Sequence, residues 1–203
     1  MRFRSRPIGA ILAGGDGVRI GGEKATVELH GKPLICYPLE SVAEVLKTVA
    51  ILAKTDTNLP PLAGVTVWIE PEQQRSPLVG ITRALALAGG HPVLVCAGDL
   101  PLVTPELVRR LVRADPRRAP AVLACAQGVL QPLLGCYQPR ALELLAGPAR
   151  DATVPLLETI ARIDPILVEA DDPEDLFDVD TPDDLLQAAA MLDRRRAVAL
   201  PPY

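Results

Sequence analysis

Aromatic residues make up only 3% of the 203 positions, and there are only two histidines and four cysteines. The cysteines, Cys36, Cys96, Cys125 and Cys136, include no Cys-x-x-Cys pair, which removes the usual signature of a zinc ribbon or a dithiol redox centre. His30 and His91 stand in turn-like settings beside Gly31 and Pro92 with no third nitrogen or sulfur ligand nearby, so no zinc site is expected. Long apolar runs are missing too. The run Ile8 to Leu12 that follows the early arginines is too short for a secretion-signal core or a membrane span, so neither export nor a membrane partner is expected. An excess of positive charge is also lacking: the net charge is −4 and both signs are scattered, without the basic stripe that nucleic-acid binding requires. There is no Gly-x-Ser-x-Gly elbow for a serine hydrolase and no internal repeat. Cys96 and Cys125 lie in apolar runs, as buried, reduced thiols of a cytoplasmic protein would.

What the chain does have is alternation. Short apolar or β-branched runs predict strands at Ile8 to Leu12, Val49 to Ala53, Val65 to Ile69, Val93 to Ala97, Ala121 to Ala126, Leu133 to Tyr137 and Ile166 to Glu169. Helical patterns separate them at Pro33 to Leu46, Leu78 to Ala88, Pro105 to Val112, Arg140 to Leu145, Val154 to Ile160 and Pro182 to Arg194. Thr181-Pro182-Asp183-Asp184 reads as a helix start, with an N-cap hydroxyl, proline at the first helical position and acids in the first turn. This order predicts an α/β fold with a mostly parallel central sheet and helices on both faces. No linker rich in Gly or Ser divides it, so residues 1–193 are expected to form one domain and 194–203 a flexible tail.

In such sheets ligands bind outside the carboxyl ends of the strands. Directly after the first strand, the 13 residues from Leu12 to Lys24 hold five glycines together with Arg19 and Lys24. Glycines let backbone N–H groups form a concave nest for phosphate oxygens, and the two cations add charge. The loop is neither of the common nucleotide signatures. Ile20 stands where the dinucleotide pattern needs its third glycine, and Lys24 is followed by Ala25 and Thr26 where a Walker A loop needs Ser or Thr at once. Taken alone, it also reads as an ordinary strand-to-helix loop with incidental charge.

A second strand end carries Gly98-Asp99-Leu100-Pro101. An exposed aspartate facing a phosphate loop suits Mg²⁺, a hard cation that takes one or two carboxylates plus phosphate oxygens and water. It also suits a turn cap. Asp178-Val179-Asp180 could add a second carboxylate, since alternate residues of an extended segment point the same way, although helix capping equally accounts for Asp180. Ser76-Pro77-Leu78-Val79-Gly80 opens a helix whose free N–H groups favour an anion. Gln131 and Arg150 lie in the half of the chain that would cover a second substrate, where Arg150 equally reads as a surface charge.

Taken in order, Leu12-Ala13-Gly14-Gly15 with Arg19, Gly21, Gly22 and Lys24, then Gly31-Lys32-Pro33-Leu34, Pro77-Leu78 with Gly80, Gly98-Asp99-Leu100-Pro101, and Asp180-Thr181-Pro182 with Asp184 resemble the molybdenum cofactor guanylyltransferases over nearly the whole chain. The resemblance implies a Rossmann-like nucleotidyltransferase fold. It implies transfer of GMP from GTP, with Mg²⁺, to the terminal phosphate of molybdopterin bearing molybdenum, with release of pyrophosphate. Molybdoenzymes or their chaperones are the protein partners such a product would meet. Leu12, Ala13, Gly14 and Lys24 match the family's GTP-binding positions, and Asp99 matches its combined nucleotide and metal position. Gly15, Thr55, Glu70 and Pro77 complete the expected nucleotide site, Asp180 the metal site, and Arg19, Lys24 and Asp99 the catalytic set. The chain departs from the family's pattern at Ala53, where an asparagine is usual, at Glu70 and Pro71, and at Asp178 and Asp180, which resemble cytidylyl-transferring relatives. Transfer of CMP to the same pterin, guanylyl transfer to another phosphorylated metabolite such as phospholactate, and a non-catalytic nucleotide-binding adaptor are the alternatives.

Overall fold

The computed structural model describes residues 6–13, 24–71, 76–151 and 153–199. Among these residues nine strands form: β1 (Ile8–Leu12), β2 (Glu28–Leu29), β3 (Lys32–Pro33), β4 (Val49–Ala53), β5 (Thr66–Ile69), β6 (Val93–Ala97), β7 (Ala121–Ala126), β8 (Val129–Tyr137) and β9 (Ile166–Glu169). Among the described residues the α-helices are α1 (Cys36–Ala43), α2 (Pro77–Leu87), α3 (Pro105–Arg113), α4 (Ala141–Leu145), α5 (Leu156–Arg162) and α6 (Pro182–Ala199). Seven strands build the main sheet in the order β5-β4-β1-β6-β8-β7-β9. Its pairings are parallel except at β8, which runs against both β6 and β7. This is the mostly parallel, Rossmann-like α/β sheet expected.

Sequence chemistry sets the helix starts. Pro77 and Pro105 sit in the first turns of α2 and α3, where a missing N–H costs nothing, and the Ser76 and Thr104 side chains accept from the N–H groups of Leu78 and Leu107. Along α3, Leu107, Val108 and Leu111 form the buried stripe while Arg110 and Arg113 stand in the last turn, where cations complement the helix dipole. Helices cover both faces of the sheet. Ile11, Ile51, Leu94 and Val122 pack with Val42 of α1 and Leu111 of α3, and Ala10, Leu52, Val95 and Tyr137 pack with Ile81 of α2 and Ile160 of α5. Strand alternation explains the split, because neighbouring residues such as Ala10 and Ile11 point to opposite layers.

Several expectations are corrected. The predicted helix Pro33 to Leu46 begins only at Cys36, because Lys32–Pro33 pairs antiparallel with Glu28–Leu29 around His30 and Gly31, both at positive φ (51° and 72°). That two-residue turn matches the twist of a hairpin. The same device at Gln127 and Gly128 (φ 52° and 78°) starts β8 at Val129 rather than Leu133. The helix expected from Val154 starts at Leu156, with Pro155 at its N-cap. The tail expected to be flexible from Arg194 is helical to Ala199. Arg194 pairs with Glu174, and Arg195 donates to Asp172, Asp175 and the Leu102 carbonyl, which fixes this last stretch of helix to the body.

The cysteines behave as core residues. Cys96, Cys125 and Cys136 are buried. Burial pushes the Cys136 thiol up to about 12, and burial together with the neighbouring Glu169 carboxylate pushes Cys125 up to about 11. Thiols at such values are not nucleophiles at neutral pH. Among the described residues no helix is long and apolar enough to cross a membrane.

Candidate active site

From β1 the chain moves outward to β4 and β5, then returns to β6 on the other side of β1. The carboxyl ends of β1 and β6 therefore flank the point where strand order reverses, the place where open α/β sheets bind ligands. Two strand ends meet closely there. The Gly98 N–H donates to the Leu12 carbonyl at 3.0 Å, and a Cβ added at Gly98 would sit 3.0 Å from that same oxygen and 3.3 Å from Ile35. Only glycine allows this approach without the neighbours shifting, and it leaves a small recess lined by Leu12, Ala13, Lys24, Ala25, Ile35, Gly98 and Asp99.

Into this recess comes Lys24. Its Nζ donates to Asp99 Oδ2 at 2.6 Å and also to Asp180 Oδ1. Its side chain is 14% exposed, against 24% for Asp99 and 51% for Asp180. Burial pulls the Lys24 pKa down, but the Asp99 charge and the hydrogen bonds to Asp180 and Asp99 outweigh it and hold the value above that of an ordinary lysine. The ammonium is therefore a fixed positive charge between two carboxylates.

Backbone and side chains secure the carboxylates. The Val179 N–H donates to the Asp99 carbonyl at 3.0 Å, and Val179 itself is fully buried, so the segment carrying Asp178 and Asp180 is pinned to the end of β6. Asp184 Oδ2 then accepts from the N–H groups of Asp180 and Thr181 at 3.0 and 2.8 Å and from the Thr181 hydroxyl at 2.8 Å, while Thr181 Oγ1 accepts from the Asp184 N–H at 3.2 Å. This reciprocal cap fixes the first turn of α6 beside Asp180.

The cap has a measurable pH signature. The Thr181 hydroxyl, aided by the two N–H groups, holds the Asp184 carboxyl below the usual carboxylate range. An acid with a lower pKa folded than unfolded stabilises the fold above its unfolded value, and that contribution is lost as pH falls through the folded value. Acidification below about pH 4 is expected to weaken the wild type more steeply than Asp184→Asn, which starts lower and lacks the titrating group. Urea midpoints at about pH 6 and about pH 3 check it, and equal losses in the two proteins would remove this role from Asp184.

The other predicted positions are distributed unevenly. Leu12, Ala13, Lys24, Asp99 and Asp180 come together, whereas Gly14, Gly15 and Arg19 lie outside the described residues. At the neighbouring end of β4, Thr55 is exposed, and it is Lys54 that turns inward, 6% exposed, donating from Nζ to the Pro71 carbonyl at 3.0 Å. Beyond β5, Glu70 is 5% exposed; burial raises its pKa while the Lys54 charge lowers it. Lys54 is not among the site residues expected from sequence, where its one signal is its position directly after a strand. Pro77 is exposed at the start of α2. Gln131 pairs with Ala124 near the end of β7, at the same sheet edge as Asp99. Its side chain accepts from the Leu133 N–H at 3.3 Å. Arg150 ends a short 3₁₀ turn that packs against α2 and α4. Among the described residues no group of three or more His, Cys, Asp or Glu side chains is placed to hold a metal ion.

Residues 9–162 match the model of the MobA-like NTP transferase domain. The chain is 31% identical over 198 residues, covering 92% of itself and 96% of the relative, to a probable molybdenum cofactor guanylyltransferase of Thermococcus kodakarensis. It is 29% identical to a molybdenum cofactor guanylyltransferase of Rhizobium leguminosarum, covering 96% of this chain and 97% of that one. In fold it is similar to molybdopterin-guanine dinucleotide biosynthesis protein A from Archaeoglobus fulgidus, with a TM-score of 0.74 at 24% identity over 92% of this chain and 98% of that one. It also shares the fold of 2-C-methyl-D-erythritol 4-phosphate cytidylyltransferase from Thermus thermophilus, with a TM-score of 0.68 at 18% identity over 92% and 99% of the two chains. A matched domain spanning most of the chain, set on a sheet whose switch point gathers Lys24 and two carboxylates, makes this protein a nucleotidyltransferase that belongs to the MobA-like NTP transferase family.

Proposed function

We propose that this enzyme transfers the GMP moiety of GTP to the terminal phosphate of molybdopterin bearing molybdenum, releasing pyrophosphate. The observation that carries this reading is the Lys24 ammonium held between Asp99 and Asp180 beside the Leu12–Ala13 backbone at the sheet's switch point. Relatives bearing the name of that activity, matched over 92% and 96% of this chain, support it.

In this reaction an oxygen of the acceptor phosphate attacks the α-phosphorus of GTP. The bond from that phosphorus to the oxygen bridging to the β-phosphate breaks, a phosphoanhydride forms, and pyrophosphate carries away the electron pair. No protein nucleophile takes part, so the residues have to position and neutralise. Lys24 offers charge to the triphosphate, with Arg19 given the same role, and the N–H donors are assigned to the glycine-rich loop from Gly14 onward, since the Ala13 N–H is already given to the Leu52 carbonyl at 2.8 Å. Glycine at position 98 lets the Leu12 carbonyl approach without meeting a Cβ. The sequence resemblance assigns Glu70, Thr55 and Pro77 to the nucleoside, and Gln131 and Arg150 are assigned to the acceptor from their place in the second half of the chain.

Asp99 and Asp180 already converge on one positive charge, and two such carboxylates are an oxygen donor set that suits Mg²⁺. When bound there, Mg²⁺ supplies neutralisation of the phosphate charge that develops as pyrophosphate leaves. A cytoplasmic setting accords with the free thiols of Cys36, Cys96, Cys125 and Cys136.

The first test is calorimetry of GTP, CTP and ATP with Mg²⁺ on the wild type and on Asp99→Ala. A preference for GTP of about tenfold or more, worth about 1.4 kcal/mol, that weakens in the variant is expected. A preference for CTP would favour cytidylyl transfer instead, the reading that the acidic Asp178 and Asp180 resemble. Absence of nucleotide binding would overturn both.

A further inference from the structure

Lys24 occupies the space between the same two carboxylates that the proposed reaction gives to a divalent cation. The two cations compete for it: the Lys24 nitrogen lies 2.6 Å from Asp99 Oδ2 and also bonds Asp180 Oδ1, and a magnesium ion bridging the same pair at about 2 Å from its oxygens would face the ammonium's charge at short range. One of the groups has to move, and the surroundings say which. Asp99 is tied through its backbone carbonyl to Val179, and Asp180 through its N–H to Asp184, so the backbone that carries each short carboxylate is anchored. Lys24 instead hangs on a four-carbon stem from the turn at residues 24–26.

We propose that Lys24 is a built-in counter-cation that keeps the Asp99–Asp180 pair occupied until the nucleotide arrives, and that the divalent cation enters only as the lysine passes to the triphosphate. The proposal rests on reading Asp99 and Asp180 as the cation's ligands. Its physical basis is that displacing Lys24 by a cation alone strands a largely buried ammonium without an acceptor, which is costly. A triphosphate removes that cost by offering its own oxygens. Cation and nucleotide therefore bind cooperatively, and each raises the affinity of the other by the same factor. The device also keeps free divalent ions out of an empty site.

The test is Mn²⁺ binding to the full chain, by calorimetry and by the electron paramagnetic resonance signal of free Mn²⁺, with and without saturating GTP. Wild type is expected to bind Mn²⁺ weakly alone and at least about tenfold more tightly with GTP. Lys24→Gln is expected to bind Mn²⁺ alone at least about tenfold more tightly than wild type, with the gain from GTP much reduced. In that variant Mn²⁺ also raises the melting temperature, because two carboxylates that have lost their cation regain one. Unchanged or weaker Mn²⁺ binding by Lys24→Gln, while GTP binding still depends on Asp99, would overturn the counter-cation role and leave the proposed reaction standing. Retention of the tight Mn²⁺ binding in the double variant Asp99→Asn, Lys24→Gln would instead overturn the assignment of the cation to Asp99, on which both rest. Should Lys24→Gln fail to fold, the wild type decides by itself, since independent binding of Mn²⁺ and GTP would overturn the proposal.

Discussion

Replacing Asp99 with asparagine is expected to slow pyrophosphate release by about a thousandfold at saturating GTP, Mg²⁺ and acceptor, because a charge aimed at the reacting phosphates is worth that much in a partly enclosed site. Asparagine keeps the size and one oxygen of the side chain, so what is removed is the negative charge that holds Lys24 and would hold a divalent cation. The fold should survive. The contacts that tie this strand end together, from the Gly98 N–H to the Leu12 carbonyl and from the Val179 N–H to the Asp99 carbonyl, belong to the backbone. Lys24 also keeps Asp180 as a partner. The expected pattern is thus a large fall in kcat with an unchanged melting temperature. Activity within about tenfold of the wild type would take Asp99 out of the catalytic set, and a fall matched by loss of folding would give it a structural role.

The second large effect concerns stability. Arg195→Ala is expected to lower the unfolding free energy by about 3 kcal/mol, the range found when one partner of a buried ion pair is removed. Asp175 is 8% exposed at its side chain, and Arg195 meets its Oδ1 at 2.9 Å while also donating to Asp172 Oδ2 and the Leu102 carbonyl at 2.8 Å. Without the guanidinium, Asp175 keeps the Thr104 hydroxyl at 3.1 Å, and a hydroxyl does not neutralise a carboxylate. Three segments lose their common tie: α6, the turn at Pro173–Leu176 with its cap Asp172, and the loop before α3. Arg195→Lys should recover only part of the loss, since a single ammonium cannot replace the planar fork that reaches both acids and a carbonyl. Urea unfolding at neutral pH measures this. A loss below about 1 kcal/mol would mean that the cluster is screened like an exposed surface pair.

How much of this was legible depends on how far along the chain each cause acts. The core strands β1 and β6 are visible because all their residues are apolar or small and turn-rich segments bound them, as strands buried on both faces require. The helix starts at Ser76-Pro77, Thr104-Pro105 and Thr181-Pro182 are visible because a cap acts within three residues. The β2–β3 hairpin was missed because its turn, His30-Gly31, lacks the Asn or Asp that usually announces positive φ at two successive positions. The early start of β8 was missed for the same reason at Gln127-Gly128, and with it went the placement of Gln131 in a strand at the rim of the sheet.

At the site, the sequence by itself determined which residues could do the chemistry: a glycine-rich loop ending in Lys24, an aspartate after a buried strand, and a pair of acids before a capped helix. Only the tertiary structure decided that Lys24 meets Asp99, 75 positions away, and Asp180, 156 positions away, at a single point. It also decided that Lys54 and Glu70 turn inward while Thr55 stays at the surface, and that α6 continues through Arg195 to Ala199. The physical reason is common to all of these. Propensity, capping and alternation are settled between neighbours in sequence, whereas ion pairs and the burial of a charge depend on where the crossovers of a twisted sheet bring distant segments together.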